Sequence, residues 1–66
     1  MVNGDKIRQL REREGLTMKE LAERVGVTEA MMSYIERNLR KPTIDVLTHI
    51  AKVFGTTIDE LIIKVG

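Results

Sequence analysis

At 66 residues the chain has room for one domain, and a domain this small buries only about 60% of the surface that its unfolded form exposes. It contains no cysteine, which excludes disulfide bracing and thiolate metal sites, while 42% hydrophobic and 32% charged residues mark a folded soluble chain rather than a disordered one. The net charge of +1 is much less basic than that of a typical nucleic-acid module, although the nine Lys and Arg against seven Asp and Glu in residues 1–43 leave that part slightly positive.

The first predicted helix covers 4–14, with Ile7 and Leu10 at helical spacing and Gly15 as its stop. The second, 18–25, follows Thr17, whose spacing to Glu20 is that of a capping box. Leu21, Ala22 and Val25 form its apolar stripe, and Gly26 ends it. The third, 29–37, follows Thr28 and turns Met32 and Ile35 inward. Pro42, which favours an extended Lys41 before it, separates the third helix from the fourth, 44–54. That helix follows Thr43, carries Leu47, Ile50, Ala51 and Phe54 on one side, and stops at Gly55. The fifth, 58–64, follows Thr57, which again stands in capping-box spacing to Glu60, and it brings Ile58, Leu61 and Ile62. Its end, "LIIKVG", is the one stretch with strand character. Only Tyr34 and Phe54 are aromatic, so the core is expected to be aliphatic. The expected fold is all-α: a compact five-helix bundle forming a single domain over 1–66.

Little here serves catalysis. His49 is the lone histidine and lies mid-helix between Leu47 and Ile50, where a surface or partly packed role is expected. With no Cys–His pair, histidine cluster or glycine-rich phosphate loop, no enzyme activity, cofactor or metal is expected. No apolar run approaches 18 residues and no charged-then-apolar leader is present, so neither a membrane span nor a signal peptide is read, and the cytoplasm is the expected compartment.

The stretch "ELAERVGVTEAMMSYIE" is more specific. Ala22 is a small residue one turn before Gly26, Val27 fills the angle, and Ile35 closes the apolar stripe that follows. A tight turn faced by a small residue lets two helices cross steeply, which is helix-turn-helix geometry; an αα-corner without a ligand is the structural alternative. The wider sequence carries "LR", "GLT", "ELA", "GVT", "IER", the isolated proline, "IAKVFG" and "DEL" in order. From about Ile7 to Leu61 it closely resembles the phage-repressor type of helix-turn-helix domain, also called the xenobiotic-response-element family. That resemblance implies five helices and sequence-specific binding to double-stranded DNA, usually as a dimer on a palindromic site.

In this geometry the third helix lies in the major groove with its N-terminal residues facing base edges. A helix wheel turns Ala30, Ser33, Tyr34 and Arg37 outward, places Thr28 close to the inward Met32 and Ile35, and leaves Glu29, Met31 and Glu36 on the flanks. The family's base-reading positions fall by alignment on Glu29, Ala30 and Tyr34, with Thr28 and Ser33 nearby. Glu29 can accept from a cytosine amino group, Ala30 can pack on a thymine methyl, and Tyr34 can do either, but none offers a bidentate contact. Met32 is expected in the core, and Met31 against a neighbouring helix or the groove wall.

Phosphates are gripped by cations and by free N–H groups at helix N-termini. Thr17 and Thr28 mark two such termini, and Arg37, Asn38, Arg40 and Lys41 form a candidate clamp. Met18 stands where the family commonly has glutamine and keeps only its backbone N–H for that contact. Asn38 replaces the family's more frequent glycine and tolerates a left-handed turn. The resemblance also implies an internal ion pair between Arg11 and Glu36. Ile62, Ile63 and Val65 complete the core or pair with a second copy as a homodimer interface. The expected function is a small transcriptional regulator, a repressor, binding DNA without a small-molecule ligand. The alternative is a protein-interaction module of the same fold, antitoxin-like or antagonist-binding, with its methionine-bearing helix as the adaptable surface.

Overall fold

The computed structural model describes residues 2–62. Four α-helices are laid out by local capping chemistry: α1 (Gly4–Arg13), α2 (Met18–Val25), α3 (Glu29–Glu36) and α4 (Ile44–Phe54). Each starts where a side-chain oxygen takes one of the N–H groups that the first turn leaves unpaired. Thr17 and Glu20 form both halves of a capping box, Thr28 accepts from the Met31 N–H, and Thr43 accepts from the Val46 N–H. The start of α1 comes from a residue that the sequence reading did not single out: the Asn3 side chain accepts from the Lys6 N–H. Between α2 and α3, Gly26 takes the left-handed conformation (φ 90°). Its N–H and that of Val27 both donate to the Ala22 carbonyl, at 2.8 and 3.0 Å, and this sets the sharp turn into α3.

The core is aliphatic apart from one thioether. Ile7 comes from α1, Leu21, Ala22 and Val25 from α2, Met32 and Ile35 from α3, Leu47, Ile50 and Ala51 from α4, and Leu61 from the segment that follows. Neither aromatic residue is central: Phe54 is half-buried and Tyr34 is exposed. Met31 is half-buried and packs against the edge of the core, which separates its environment from that of the fully buried Met32.

The expected fifth helix is not an α-helix. Ile58–Leu61 forms a single 3-10 turn. Thr57 makes no side-chain cap bond there; the Glu60 carboxylate instead accepts from the hydroxyl of Thr56. Leu61 is buried completely, and the backbone then turns extended at Ile62 (φ −112°, ψ 136°), which pairs with Val2 in an isolated antiparallel bridge. Beside that pairing the Leu61 carbonyl, which a continuing α-helix would have used internally, accepts from the Asn3 N–H at 2.8 Å. The described chain is therefore four α-helices and one 3-10 turn, all-helical as expected but not a five-α-helix bundle. Among the described residues no helix is long and apolar enough to cross a membrane.

Candidate nucleic-acid interface

The periodicity of α3 divides its side chains cleanly. Met32, Ile35 and Glu36 are buried, Ser33 and Met31 are half-buried, and Glu29, Ala30 and Tyr34 are exposed, as is Arg37 just past the helix. Tyr34 remains 40% exposed, and two cations lie against it: the guanidinium carbons of Arg37 and Arg40 stand 5.5 and 6.0 Å from its ring centre. Cation–π attraction of this kind is worth about 0.5–1 kcal/mol at an exposed site. Here it gathers Arg37 and Arg40 onto the side of α3 that carries Tyr34. Arg40 and Lys41 are both exposed, and with Val2 and Asn38 they line a shallow cavity of about 120 Å³.

Three contacts fix the pose of α3. The first is ionic. Arg11 donates through Nε to Glu36 Oε2 at 2.8 Å and through Nη2 to Oε1 at 3.2 Å, and its Nη1 reaches the Leu16 carbonyl at 3.0 Å. One guanidinium thus ties α1, the α1–α2 loop and the C-terminal end of α3. The second is the helix's own terminus. Asn38 has φ 61°, the Asn38 N–H donates to Ile35 O at 3.1 Å, and the Leu39 N–H donates to Tyr34 O at 2.8 Å. This paired arrangement is a Schellman cap, which closes the last carbonyls of a helix. The third joins α1 to that cap. The Gly4 N–H donates to Asn38 Oδ1 at 3.0 Å, and a β-carbon at Gly4 would lie 2.5 Å from the carbonyl oxygens of both Ile35 and Glu36. The positive end of α1 therefore abuts the negative end of α3.

Several polar groups singled out in the sequence already have partners. The Thr17 N–H donates to Glu20 Oε1 at 2.9 Å, and the Thr17 hydroxyl accepts from the Glu20 N–H at 3.1 Å. The Thr17 backbone N–H foremost, and the Thr17 side chain after it, hold the Glu20 carboxyl below its ordinary range. At this terminus the N–H groups left without a partner inside the helix belong to Met18 and Lys19, and the Met18 side chain is half-buried against the core. Thr28 is exposed rather than turned toward the core, because its hydroxyl oxygen caps α3 by accepting from the Met31 N–H at 3.0 Å. Ile62 is half-buried and paired with Val2; Ile63 and Val65 lie outside the described residues. His49 is exposed on α4. The Gly4–Asn38 junction was missed in the sequence, since its partners are 34 positions apart and no local spacing signals it.

Residues 7–61 match the helix-turn-helix family model. An uncharacterized HTH-type transcriptional regulator of Mycobacterium tuberculosis is 43% identical over 63 residues, covering 96% of this chain and 45% of the relative. The chain spans about half the length of the curated relatives it matches, 54% in the case of SinR of Bacillus subtilis. Among solved structures, the biofilm regulator SinR in complex with DNA superposes with a TM-score of 0.82 at 37% identity, over 89% of this chain and 98% of that one. The P22 c2 repressor in complex with a synthetic operator gives a TM-score of 0.87 at 26% identity, over 92% of each chain. With a turn at Gly26 joining α2 to α3, an exposed face on α3 and these matches along nearly its whole length, the chain belongs to the helix-turn-helix family, of the type found in phage repressors.

Proposed function

We propose that this chain is a DNA-binding transcriptional regulator that lays α3 in the major groove of a duplex, and that it acts as a repressor and as a homodimer. The observation that carries this is the grouping of Arg37 and Arg40 around the exposed Tyr34 ring. It puts cations for phosphate beside a side chain that can meet a base edge or a thymine methyl. Glu29 and Ala30 complete the reading face, with Thr28 and Ser33 at its border. Phosphate contacts fall to Arg37, Arg40 and Lys41, and to the N–H groups at the start of α2 around Thr17 and Met18. The relatives named as transcriptional regulators and the two neighbours solved on DNA support the same assignment. A two-fold pair would set two α3 helices one DNA turn apart, roughly 34 Å, and would double a contact set that lacks any bidentate reader.

Binding to a mixed-sequence duplex, titrated between about 50 and 200 mM salt, tests the assignment. Several phosphate contacts make affinity fall steeply over that range through counterion release. A flat response would sink the proposal and assign the face to a protein partner. Selection of bound sites from a random DNA pool then reports whether a sequence is read and whether it is palindromic.

A further inference from the structure

The geometry points to Asn38 as a positioning residue for the phosphate-gripping loop: its carboxamide oxygen ties that loop to the N-terminus of α1, and Arg40 and Lys41 are held in place by that tie. The inference rests on the DNA-binding reading above and adds to it the residue that organises the grip. Asn38 sits at the left-handed position that ends α3, with φ 61°. Glycine adopts this conformation most readily, so backbone geometry alone does not call for a side chain here. What the side chain adds is the 3.0 Å bond from the Gly4 N–H to its Oδ1. That donor is one of the N–H groups which the first turn of α1 leaves without an internal partner.

The anchor on the other side of the bond is itself held. The Asn3 N–H donates to the Leu61 carbonyl at 2.8 Å, Asn3 Oδ1 caps α1 at Lys6, and Val2 pairs with Ile62. Gly4 has no room to move toward α3, because its α-carbon already faces the Ile35 and Glu36 carbonyls at a distance that a β-carbon would close to 2.5 Å. Residues 2–4 thus form a fixed strip, and Asn38 is the side chain through which the loop is fastened to it. Just beyond Asn38 come Arg40 and Lys41, which meet Asn38 and Val2 around the shallow cavity. With Oδ1 occupied by Gly4, Asn38 does its work on the loop through that oxygen, and the charge offered to a phosphate belongs to Arg40 and Lys41.

A neutral carboxamide that only donated to a phosphate would displace no counterion, whereas a residue that aligns two cations governs how many counterions are released. The test therefore uses Asn38→Gly, which keeps the left-handed turn and removes the oxygen, and Asn38→Asp, which keeps an acceptor for Gly4. For each variant and for the unaltered chain, two quantities are measured: hydrogen exchange at the Gly4 amide, and affinity for a mixed-sequence duplex as a function of salt. The expected result is that Asn38→Gly loses Gly4 protection and flattens the logarithmic salt slope by about 1 to 2, the share of two phosphate contacts. Asn38→Asp is expected to keep the protection, and its added negative charge to weaken binding most at low salt. A flattened slope without loss of Gly4 protection therefore marks charge repulsion rather than a lost tie. If Asn38→Gly binds more weakly with an unchanged slope, Asn38 is a direct phosphate donor and the positioning role is overturned; an unchanged affinity and slope overturn it as well. Absence of salt-dependent binding by the unaltered chain overturns the DNA-binding reading itself and the positioning role with it.

Discussion

Arg11 and Glu36 meet through two hydrogen bonds, of 2.8 and 3.2 Å, with side chains only 15% and 2% exposed. Neither residue reaches toward the exposed face of α3; the pair holds that helix to α1 from behind. Removing Arg11 leaves an uncompensated carboxylate in the interior, which costs about 3–5 kcal/mol. Arg11→Ala is accordingly expected to lose most of the folded population of so small a domain, read by urea denaturation. Arg11→Met combined with Glu36→Leu should be the more stable protein compared with Arg11→Met alone, because it removes the stranded charge. Equal stability of Arg11→Ala and the unaltered chain would refute the structural role.

Gly4 occupies a helical position where alanine ordinarily does better, and the expected effect is nevertheless destabilising. A β-carbon would stand 2.5 Å from two backbone carbonyl oxygens and 2.8 Å from the carbonyl carbon of Glu36, and backbone cannot swing aside as a flexible side chain can. Overpacking of this kind costs about 1–3 kcal/mol, and in a domain of this size each kcal/mol lowers Tm by roughly 4–8 °C. A thermal melt of Gly4→Ala at or above the original midpoint would show that α1 can back away from α3.

The Thr17–Glu20 capping box is a source of acid sensitivity. Thr17 lowers the Glu20 pKa in the folded chain, so ionised Glu20 favours folding. That contribution is complete above the ordinary glutamate range and disappears as pH falls through the lower folded value. Stability measured across the acid limb should lose part of its pH dependence in Glu20→Gln, which has no carboxylate to protonate. Superimposable acid limbs for the two proteins would remove the capping box from the account.

On DNA, the exposed residues should separate by role. Arg40→Ala is expected to weaken binding about equally on all sequences and to flatten the salt slope by about 1. Glu29→Ala should raise affinity for generic duplex by removing a charge that repels phosphate, while erasing the preference at one base pair of a selected site. Tyr34→Ala should likewise relax one position, within the roughly 1–3 kcal/mol that a mismatched base pair costs. Sites selected by Glu29→Ala and Tyr34→Ala that match those of the original chain would exclude both residues from base reading.

Much of this molecule was legible in local sequence because the forces involved act over three or four residues. Thr17, Thr28 and Thr43 cap helices through bonds to residues three positions on, Gly26 supplies a left-handed turn, and the spacing of Leu21, Val25, Met32 and Ile35 settles which sides face the core. Of the residues that the same periodicity turns outward, Ala30, Tyr34 and Arg37 are exposed but Ser33 is half-buried, while Glu29, read as a flank, is exposed. Tertiary structure decided the rest. The segment after Thr57 has the spacing of a helix start, yet burial of Leu61 and the pairing of Ile62 with Val2 turn it into one 3-10 turn and an extended residue. Asn38 reads in sequence as a turn residue and phosphate ligand, and only the approach of Gly4 from the far end of the chain occupies its oxygen. Contacts between residues dozens of positions apart leave no periodic trace, since they depend on how helices already formed are stacked.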